Sequence, residues 1–363
     1  MKKLLSALFA ISLVIVGLFA IQRYLVAKEN AAAGTSGSGS KVLNIYNWGD
    51  YIDPSLLTKF TKETGYRINY ETFDSNEDMY AKVKQGGTSY DIVVPSDYMV
   101  EKMRREKMLL PINRKKFKGF KYYDKRFLNK SFDPGNKYSI PYFWGTLGIV
   151  YNDKFVKRSE VESWDQLWSS KFRDKILLVD SARDDFAFSL ISMGKSVNDK
   201  RPADVQAAKA KLDALMPNVK AILDDEIVMY MVQEEAPIGI TWSGEASEMI
   251  AENKHLRYVI PKEGSNIWFD NLAIPKTAKH FKAIYKFLNF MSEPKNAAQN
   301  AEYVEYSTPN KGAIKILPKS VTGDQQFYPS NKTLKNLHVY SDLGQKWTQI
   351  YNDLFLEFKM TSR

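Results

Sequence analysis

The strongest constraint on the fold is the alternation of short apolar segments with segments of helical pattern. Pro54–Gly65 has proline near its start, apolar residues at helical spacing and glycine at its end, which is typical of a helix. Ser75 with Asp78 predicts a capping box at the start of the next helix. Strand–helix order predicts a parallel sheet with helices on both faces. The predicted strands here are Lys41–Trp48, Arg67–Phe73 and Asp91–Ser96.

The same alternation returns in the second half of the chain, so the 363 residues are expected to form two α/β units. The strand Ala236–Gly244 is expected to enter a loop. The other predicted strands are Lys175–Asp180, Leu256–Pro261 and Asn266–Pro275. The predicted helices are Tyr98–Lys107, Ala203–Ala214, Lys279–Met291 and Gln345–Phe358.

The N-terminus carries an export signal. Two lysines precede the apolar stretch Leu4–Ile21, which is near the length of a membrane-spanning helix. Ala31–Ala33 resembles a cleavage site but lies well beyond this stretch, so the leader is either an uncleaved anchor or a cleaved signal peptide. Residues 1–27 are therefore interpreted as a signal or anchor segment, and residues 28–40 as a flexible tether.

Composition excludes several classes of site. The chain has no cysteine, so it has no disulfide, thiolate nucleophile or lipoprotein anchor, and its three histidines lack metal-ligand spacing. The sequence contains no G-x-S-x-G elbow, P-loop, G-x-G-x-x-G or H-E-x-x-H motif. A hydrolase that uses paired carboxylates stays open as an alternative, although nothing marks the pair.

Positive charge is concentrated in one segment. The net charge is +10, and Arg114–Arg126 contains seven basic residues among aromatic ones. This basic segment fits either an adhesin that binds nucleic acid or an anionic wall polymer, or a solvated loop near the membrane or wall. No nucleic-acid-binding fold signature accompanies it.

Aromatic and acidic residues recur at the ends of predicted strands, where parallel sheets bind ligands. In extended backbone, residues two apart share a face. Aromatic faces attract ammonium groups and cover methylene chains, while carboxylates pair with the ammonium protons. The pattern therefore favours an organic polycation as ligand. The pairs are Trp48 with Asp50, Ser96 with Tyr98, and Trp268 with Asp270; Trp242 beside Glu245, and Asp180, Asp184 and Asp185 around Arg183, follow two other strands.

Beyond these residues, long segments resemble the spermidine/putrescine-binding proteins of bacterial polyamine ABC transporters. The resemblance runs from about Lys41 to Arg363, and the leader resembles that of some Gram-positive members. The segments are IYNWGDYIDP (Ile45–Pro54), YDIVVPSDYMVEKM (Tyr90–Met103), FDPGNKYSIPYFWGTLGIVYN (Phe132–Asn152), NIWFDNLAIPKTAK (Asn266–Lys279) and YSTPN (Tyr306–Asn310).

This resemblance implies a type II periplasmic-binding-protein fold, in which two α/β lobes joined by two crossover strands close over the ligand. Lobe 1 would comprise residues 41–146 and 270–315, and lobe 2 residues 147–269 and 316–363. The implied protein is an exported, monomeric receptor at the outer face of the membrane, in a Gram-positive cell envelope. It would bind spermidine or putrescine and pass it to a permease driven by a cytoplasmic ATPase. No catalysis, cofactor, metal or nucleic acid is implied.

The resemblance also assigns a ligand shell, in which aromatic rings would hold the methylene chain and acids the amines. Asp270 is expected to pair with a terminal ammonium. The shell is Trp48, Gly49, Ser96, Tyr98, Ser181, Asp184, Trp242, Trp268, Asp270, Tyr306 and Tyr340.

Four of these positions depart from the family pattern that the resemblance implies. Ser181 stands where the family often has an acid, and Asp184 stands where it has the longer glutamate. Tyr340 stands where some relatives carry an amide, and Gly49 stands where a hydroxyl side chain can occur. These departures leave the preferred polyamine open, and a receptor of the same fold for another small solute, such as an amino acid or a sugar, is the alternative.

Overall fold

The structure is a computed structural model that describes residues 41–361, so the predicted leader and tether lie outside the described residues. Within residues 41–361, no helix is both long enough and apolar enough to cross a membrane. The strands are β1 (Val42–Trp48), β2 (Arg67–Phe73), β3 (Ile92–Val93), β4 (Ser139–Asn152), β5 (Ile176–Val179), β6 (Val219–Leu223), β7 (Ile238–Trp242), β8 (Leu256–Val259), β9 (Ser265–Ala273) and β10 (Leu337–His338).

Helices connect most of these strands, and short 3₁₀ turns fill the longer connections. The helices are α1 (Pro54–Thr64), α2 (Asn76–Gln85), α3 (Asp97–Arg105), α4 (Ala182–Ser192), α5 (Pro202–Leu215), α6 (Glu226–Val232), α7 (Ser243–Glu252), α8 (Phe281–Ser292), α9 (Pro294–Val304), α10 (Lys311–Ile314), α11 (Lys319–Thr322), α12 (Asn331–Leu334) and α13 (Gln345–Met360).

The caps read from the sequence are present. The Asp53 side chain accepts from the backbone N–H of Ser55 at the start of α1, and Gly65 ends the helix at φ 71°. Ser75 caps α2 by accepting from the N–H of Asp78. The loop expected after β7 is wrong, because α7 begins at Ser243, directly behind the strand.

The sheet is mixed, which corrects the expectation of a parallel sheet. Its order is β2-β1-β3-β9-β4-β7-β5-β6, with β10 beside β9 and β8 beside β4. β1 and β3 are parallel, as are β5, β6 and β7, whereas β4 runs antiparallel to β7, β8 and β9. The direction of β4 is set by its pairing with strands that come much later in the chain, which strand–helix order does not determine.

Strand β4 belongs to both halves of the sheet. All fourteen of its residues are buried. Its residues up to Thr146 pair with β9, whereas those from Leu147 onward pair with β7 and, from Ile149, also with β8. A continuously buried apolar strand of this kind is typical of a central position with both faces covered.

Separate apolar cores lie on the two sides of this strand. One core is built by buried side chains between Leu43 and Phe143 and between Leu272 and Leu317. Another is built by side chains between Leu147 and Val259 and between Tyr340 and Phe358. The lobe boundaries given above stay a prediction.

Candidate ligand-binding site

A first buried carboxylate lies at Asp270 on β9. Its Oδ1 accepts a 2.6 Å hydrogen bond from the Ser96 hydroxyl, and its Oδ2 accepts one of 2.6 Å from the Tyr51 hydroxyl. Burial raises the pKa of Asp270 to about 6, although the two hydroxyl donors favour the charged form and oppose that rise. The site therefore holds a carboxylate that is oriented by neutral groups.

The start of α3 holds Ser96 against this strand. Asn76 donates from Nδ2 to the Ser96 hydroxyl at 3.0 Å and accepts from the Ser96 N–H at 3.0 Å. The fully buried Asp97 accepts from the backbone N–H groups of Tyr98 and Phe269. One side chain to backbone bond, from the Phe269 N–H to Asp97, thus joins α3 to β9 beside the Ser96–Asp270 contact, while Asn76 of α2 orients Ser96.

A second buried carboxylate lies at Asp184 in the first turn of α4. Its Oδ2 accepts from the Ser181 hydroxyl at 2.6 Å and from the indole N–H of Trp242 at 3.2 Å. Its Oδ1 accepts from the Tyr340 hydroxyl at 2.7 Å. Burial raises the pKa of Asp184, and these three donors oppose the rise.

Ser181 positions this acid because it is the N-cap of α4. Its side chain accepts from the N–H of Asp184, and its hydroxyl donates to the carboxylate of the same residue. Ser181 therefore acts both as a helix cap and as a donor to Asp184.

Aromatic rings form a wall beside Asp270. The ring centroids of Trp268 and Tyr306 are 5.5 Å apart, and those of Tyr51 and Tyr306 are 5.3 Å apart in an edge-on arrangement. The buried indole N–H of Trp268 has no hydrogen-bond partner among the described residues. Most buried indole N–H groups have a partner, so this donor is available for a polar atom of a ligand.

The structure gathers eight of the eleven predicted shell residues into two groups. The first group is Ser96, Trp268, Asp270 and Tyr306. The second group is Ser181, Asp184, Trp242 and Tyr340.

The other three predicted residues make no hydrogen bond with either carboxylate, although the Tyr98 ring lies near Arg183, as the Tyr340 ring does. Trp48 donates its indole N–H to the Val94 carbonyl at 2.9 Å, and Tyr98 directs its hydroxyl at the Glu77 carboxylate at 3.3 Å. Gly49 lies in an exposed turn, and a Cβ atom on it would meet no atom within 4 Å.

Three residue pairs were predicted to lie on one face of a strand, and this prediction is wrong for two of them. Strand β1 ends at Trp48, and Asp50 is an exposed turn residue at φ 44°. Helix α3 already includes Tyr98, so the two-residue period of a strand does not apply to it. Trp268 and Asp270 do occupy alternate positions of β9, as predicted.

Sequence reasoning missed Tyr51 and Asn76, and it named Glu245 beside Trp242 without including it in the ligand shell. Tyr51 and Asn76 are recognisable only from their contacts with Asp270 and Ser96. Glu245 is buried in the first turn of α7, where Thr241 donates to its carboxylate, and burial raises its pKa to about 8. Its position beside Trp242 was the available signal, but its burial was not predictable.

The surroundings of the first group are locally acidic despite the positive net charge, whereas Arg183 lies beside the second group. The pKa of Tyr306 is raised by burial and by the nearby carboxylates Glu245, Asp270, Asp225 and Glu248. The pKa of Glu248 is likewise raised, first by burial and then by the nearby carboxylates of Glu252, Glu305, Asp225 and Asp50. A polycation therefore meets a negative local field here.

Among residues 41–361, no group of three or more histidine, aspartate or glutamate side chains is arranged to hold a metal ion.

The family follows from comparison with known proteins. The model described as bacterial extracellular solute-binding protein matches residues 55–329. The chain belongs to this family. A spermidine/putrescine-binding periplasmic protein of Escherichia coli (strain K12) is 40% identical to this solute-binding protein over 341 residues, which cover 93% of this chain and 98% of the relative.

Solved structures support the same assignment. A putative spermidine/putrescine ABC transporter protein from Listeria monocytogenes is 53% identical, with a TM-score of 0.84, and the match covers 88% of this chain and 99% of that chain. The substrate-binding protein PotD from Streptococcus pneumoniae is 54% identical, with a TM-score of 0.82, and the match covers 89% of this chain and 99% of that chain. This solute-binding protein therefore has the mixed α/β fold of the periplasmic-binding proteins.

Proposed function

We propose that this chain is the extracytoplasmic substrate-binding component of a polyamine ABC importer, and that it binds spermidine or putrescine and delivers the ligand to a permease. The relatives described above carry spermidine/putrescine in their names. In this proposal the protein is a monomer without catalytic activity, and a cytoplasmic ATPase drives the permease.

The observation that carries the proposal is the absence of a cationic partner at Asp270. Among the described residues, its carboxylate is hydrogen-bonded to hydroxyl groups, and it takes part in no ion pair. A buried carboxylate that lacks a cation is costly, and an ammonium group removes that cost. The neighbouring rings of Trp268 and Tyr306 suit the methylene chain that follows an ammonium group in a polyamine.

Asp184 would supply the second acid. Its partners are the hydroxyls of Ser181 and Tyr340 and the indole N–H of Trp242, so it too lies among neutral donors. An elongated molecule with a positive charge at each end suits two carboxylates better than a neutral sugar does. In this proposal Ser96, Asp270 and Tyr306 lie on lobe 1 and the second group lies on lobe 2. Strands β4 and β9 cross between the lobes, and Trp268 lies on β9.

The cellular setting is part of the proposal. The apolar stretch Leu4–Ile21 would keep the protein at the outer face of the cytoplasmic membrane, within a Gram-positive cell envelope. The solved relatives from Listeria monocytogenes and Streptococcus pneumoniae support this setting.

Calorimetric titration of residues 41–363 with spermidine, putrescine and a neutral sugar tests the ligand. We expect saturable one-to-one binding of a polyamine, no binding of the sugar, and a loss of about a hundredfold in affinity for Asp270→Asn. Asp353→Asn, at an exposed position on α13, is the matched control and keeps wild-type affinity. Folded wild-type protein that binds no polyamine contradicts the ligand assignment.

A further inference from the structure

The aromatic residues of the basic segment Arg114–Arg126 serve the protein core. Phe117 is 2% exposed and Tyr123 is 5% exposed, and Phe120 packs edge-on against Phe117 at 4.7 Å. These rings are therefore unavailable for stacking on nucleic acid bases. The basic side chains of the segment are displayed outward, and its exposed lysines are Lys115, Lys116, Lys118, Lys121 and Lys125.

Helix α8 fixes the backbone of this segment. Asn289 accepts from the N–H of Lys118 at 2.8 Å and donates to the carbonyl of Lys116 at 2.9 Å. The Tyr285 hydroxyl accepts from the N–H of Asn113 at 2.8 Å. The exposed surface of α8 carries two further lysines. The basic face is defined as Lys115, Lys116, Lys118, Lys121, Lys282 and Lys286.

The one acid of the basic segment, Asp124, is paired with Arg126, which is not part of the basic face. Residues 113–123 and 281–292 contain neither aspartate nor glutamate. Among the described residues, the ion pairs of the protein include none of the six lysines. Lys116 and Lys286 lie over the rings of Tyr285 and Tyr66 instead. Six like charges on a rigid surface repel one another, and an anionic surface relieves that repulsion.

The chain that precedes the structure indicates which anionic surface is near. The predicted tether of residues 28–40 follows the apolar stretch Leu4–Ile21 and spans at most about 45 Å when extended. The described chain begins at Lys41, and Leu43 of β1 packs in the same apolar core as Ile284 of α8. The strand that follows the tether in the chain therefore contributes to the same apolar core as α8, which carries part of the basic face.

We propose that the basic face docks on the anionic phospholipid headgroups of the membrane that holds the N-terminal segment. Juxtamembrane lysine clusters are attracted to anionic lipid surfaces within a Debye length. Phe281, which is 41% exposed at the start of α8, adds an apolar contact beside Lys282. The proposal goes beyond solute binding and does not depend on which ligand the protein takes.

The experiment measures how close the basic face lies to a bilayer. The full-length protein has no cysteine, so Glu293→Cys, at the exposed end of α8, gives one site for a donor dye. The protein is reconstituted into vesicles that carry an acceptor dye on the headgroups, made of phosphatidylcholine alone or with phosphatidylglycerol added. We expect energy transfer to be about twofold higher in the anionic vesicles and to fall as added salt shortens the Debye length.

Charge reversal separates this docking from a general effect of net charge. Lys115→Glu, Lys118→Glu, Lys121→Glu and Lys282→Glu together should reduce energy transfer to the phosphatidylcholine level. The matched control is Lys200→Glu, Lys254→Glu, Lys262→Glu and Lys346→Glu, four exposed lysines on other elements, and it should keep most of the transfer. An unchanged cooperative thermal unfolding transition shows that both variants are folded.

Three results overturn the proposal. The first is equal energy transfer in neutral and anionic vesicles, and the second is an equal loss of transfer in the two four-residue variants. The third is saturable binding of soluble polyphosphate through the same lysines without any effect of phosphatidylglycerol, which would assign the face to an anionic polymer.

Discussion

The hydroxyl of Tyr51 donates a 2.6 Å hydrogen bond to Oδ2 of Asp270, although 219 residues separate the two in the chain. Both side chains are buried, and the phenol ring also packs edge-on against Tyr306. Tyr51 therefore orients the carboxylate that we propose as the ammonium partner and connects it to the aromatic wall.

Removal of this hydroxyl should weaken polyamine binding. In Tyr51→Phe, one carboxylate oxygen of Asp270 loses its donor, which raises the pKa of Asp270 further and disfavours the charged form. We expect about a tenfold loss of spermidine affinity at neutral pH, measured by calorimetry. Tyr351→Phe removes a buried hydroxyl that donates to the Asp199 carbonyl and is the matched control. An equal loss in both variants contradicts the orienting role of Tyr51.

Polyamine affinity should fall in acid. Burial raises the pKa of Asp270 to about 6, and a protonated carboxyl group cannot pair with an ammonium group. Binding below that pH requires release of a proton, so affinity should decrease by about tenfold per pH unit well below 6 and level off above 7. Titrations across this range check the slope, which Asp270→Asn should lack. Equal wild-type affinity at both ends of the range rules out the mechanism.

Closure of the proposed lobes should depend on Gly244 in α7. A Cβ atom at this position would lie 1.3 Å from Cε1 of Tyr306, so only glycine permits the contact. In Gly244→Ala the two elements must separate, and we expect at least about a tenfold loss of affinity together with a larger radius of gyration in small-angle scattering. Ser247→Ala on the same helix is the control. Tight binding and an unchanged radius in Gly244→Ala would sink this prediction.

Glu245 should make the protein less stable as the pH rises. Burial raises its pKa in the folded state from 4.5 to about 8, so the folded state binds the proton more tightly than the unfolded state does. The associated stability is fully present below 4.5 and is lost as the pH rises through 8. Glu245→Gln can still accept from Thr241 and should be roughly 1–3 kcal/mol more stable than wild type at about pH 8.5.

Urea denaturation at two pH values measures this difference. The advantage of Glu245→Gln should shrink towards zero at about pH 4.5, because the wild-type carboxyl is then protonated in the folded protein. Glu252→Gln, at an exposed position on α7, should match wild type throughout. An advantage that is the same at both pH values would point to packing instead of titration.

Local structure could be predicted from the sequence to a large extent. Strand β2 has the predicted bounds Arg67–Phe73, and the cap at Ser75 forms as expected. Caps, terminal glycines and apolar periodicity act between residues close in the chain, so the amino-acid order carries them directly. The mixed direction of the sheet could not be predicted this way, because it depends on how β4 pairs with distant strands.

The sequence by itself determined which residue types line the site, since Asp270, Asp184 and the tryptophans are recognisable from their segments. Only the tertiary structure decided their partners, such as Tyr51 for Asp270 and Tyr340 for Asp184. Burial, which raises the pKa of both carboxyl groups, likewise arises from packing between distant segments. Desolvation and hydrogen bonding depend on distance in space, and separation along the chain does not encode that distance.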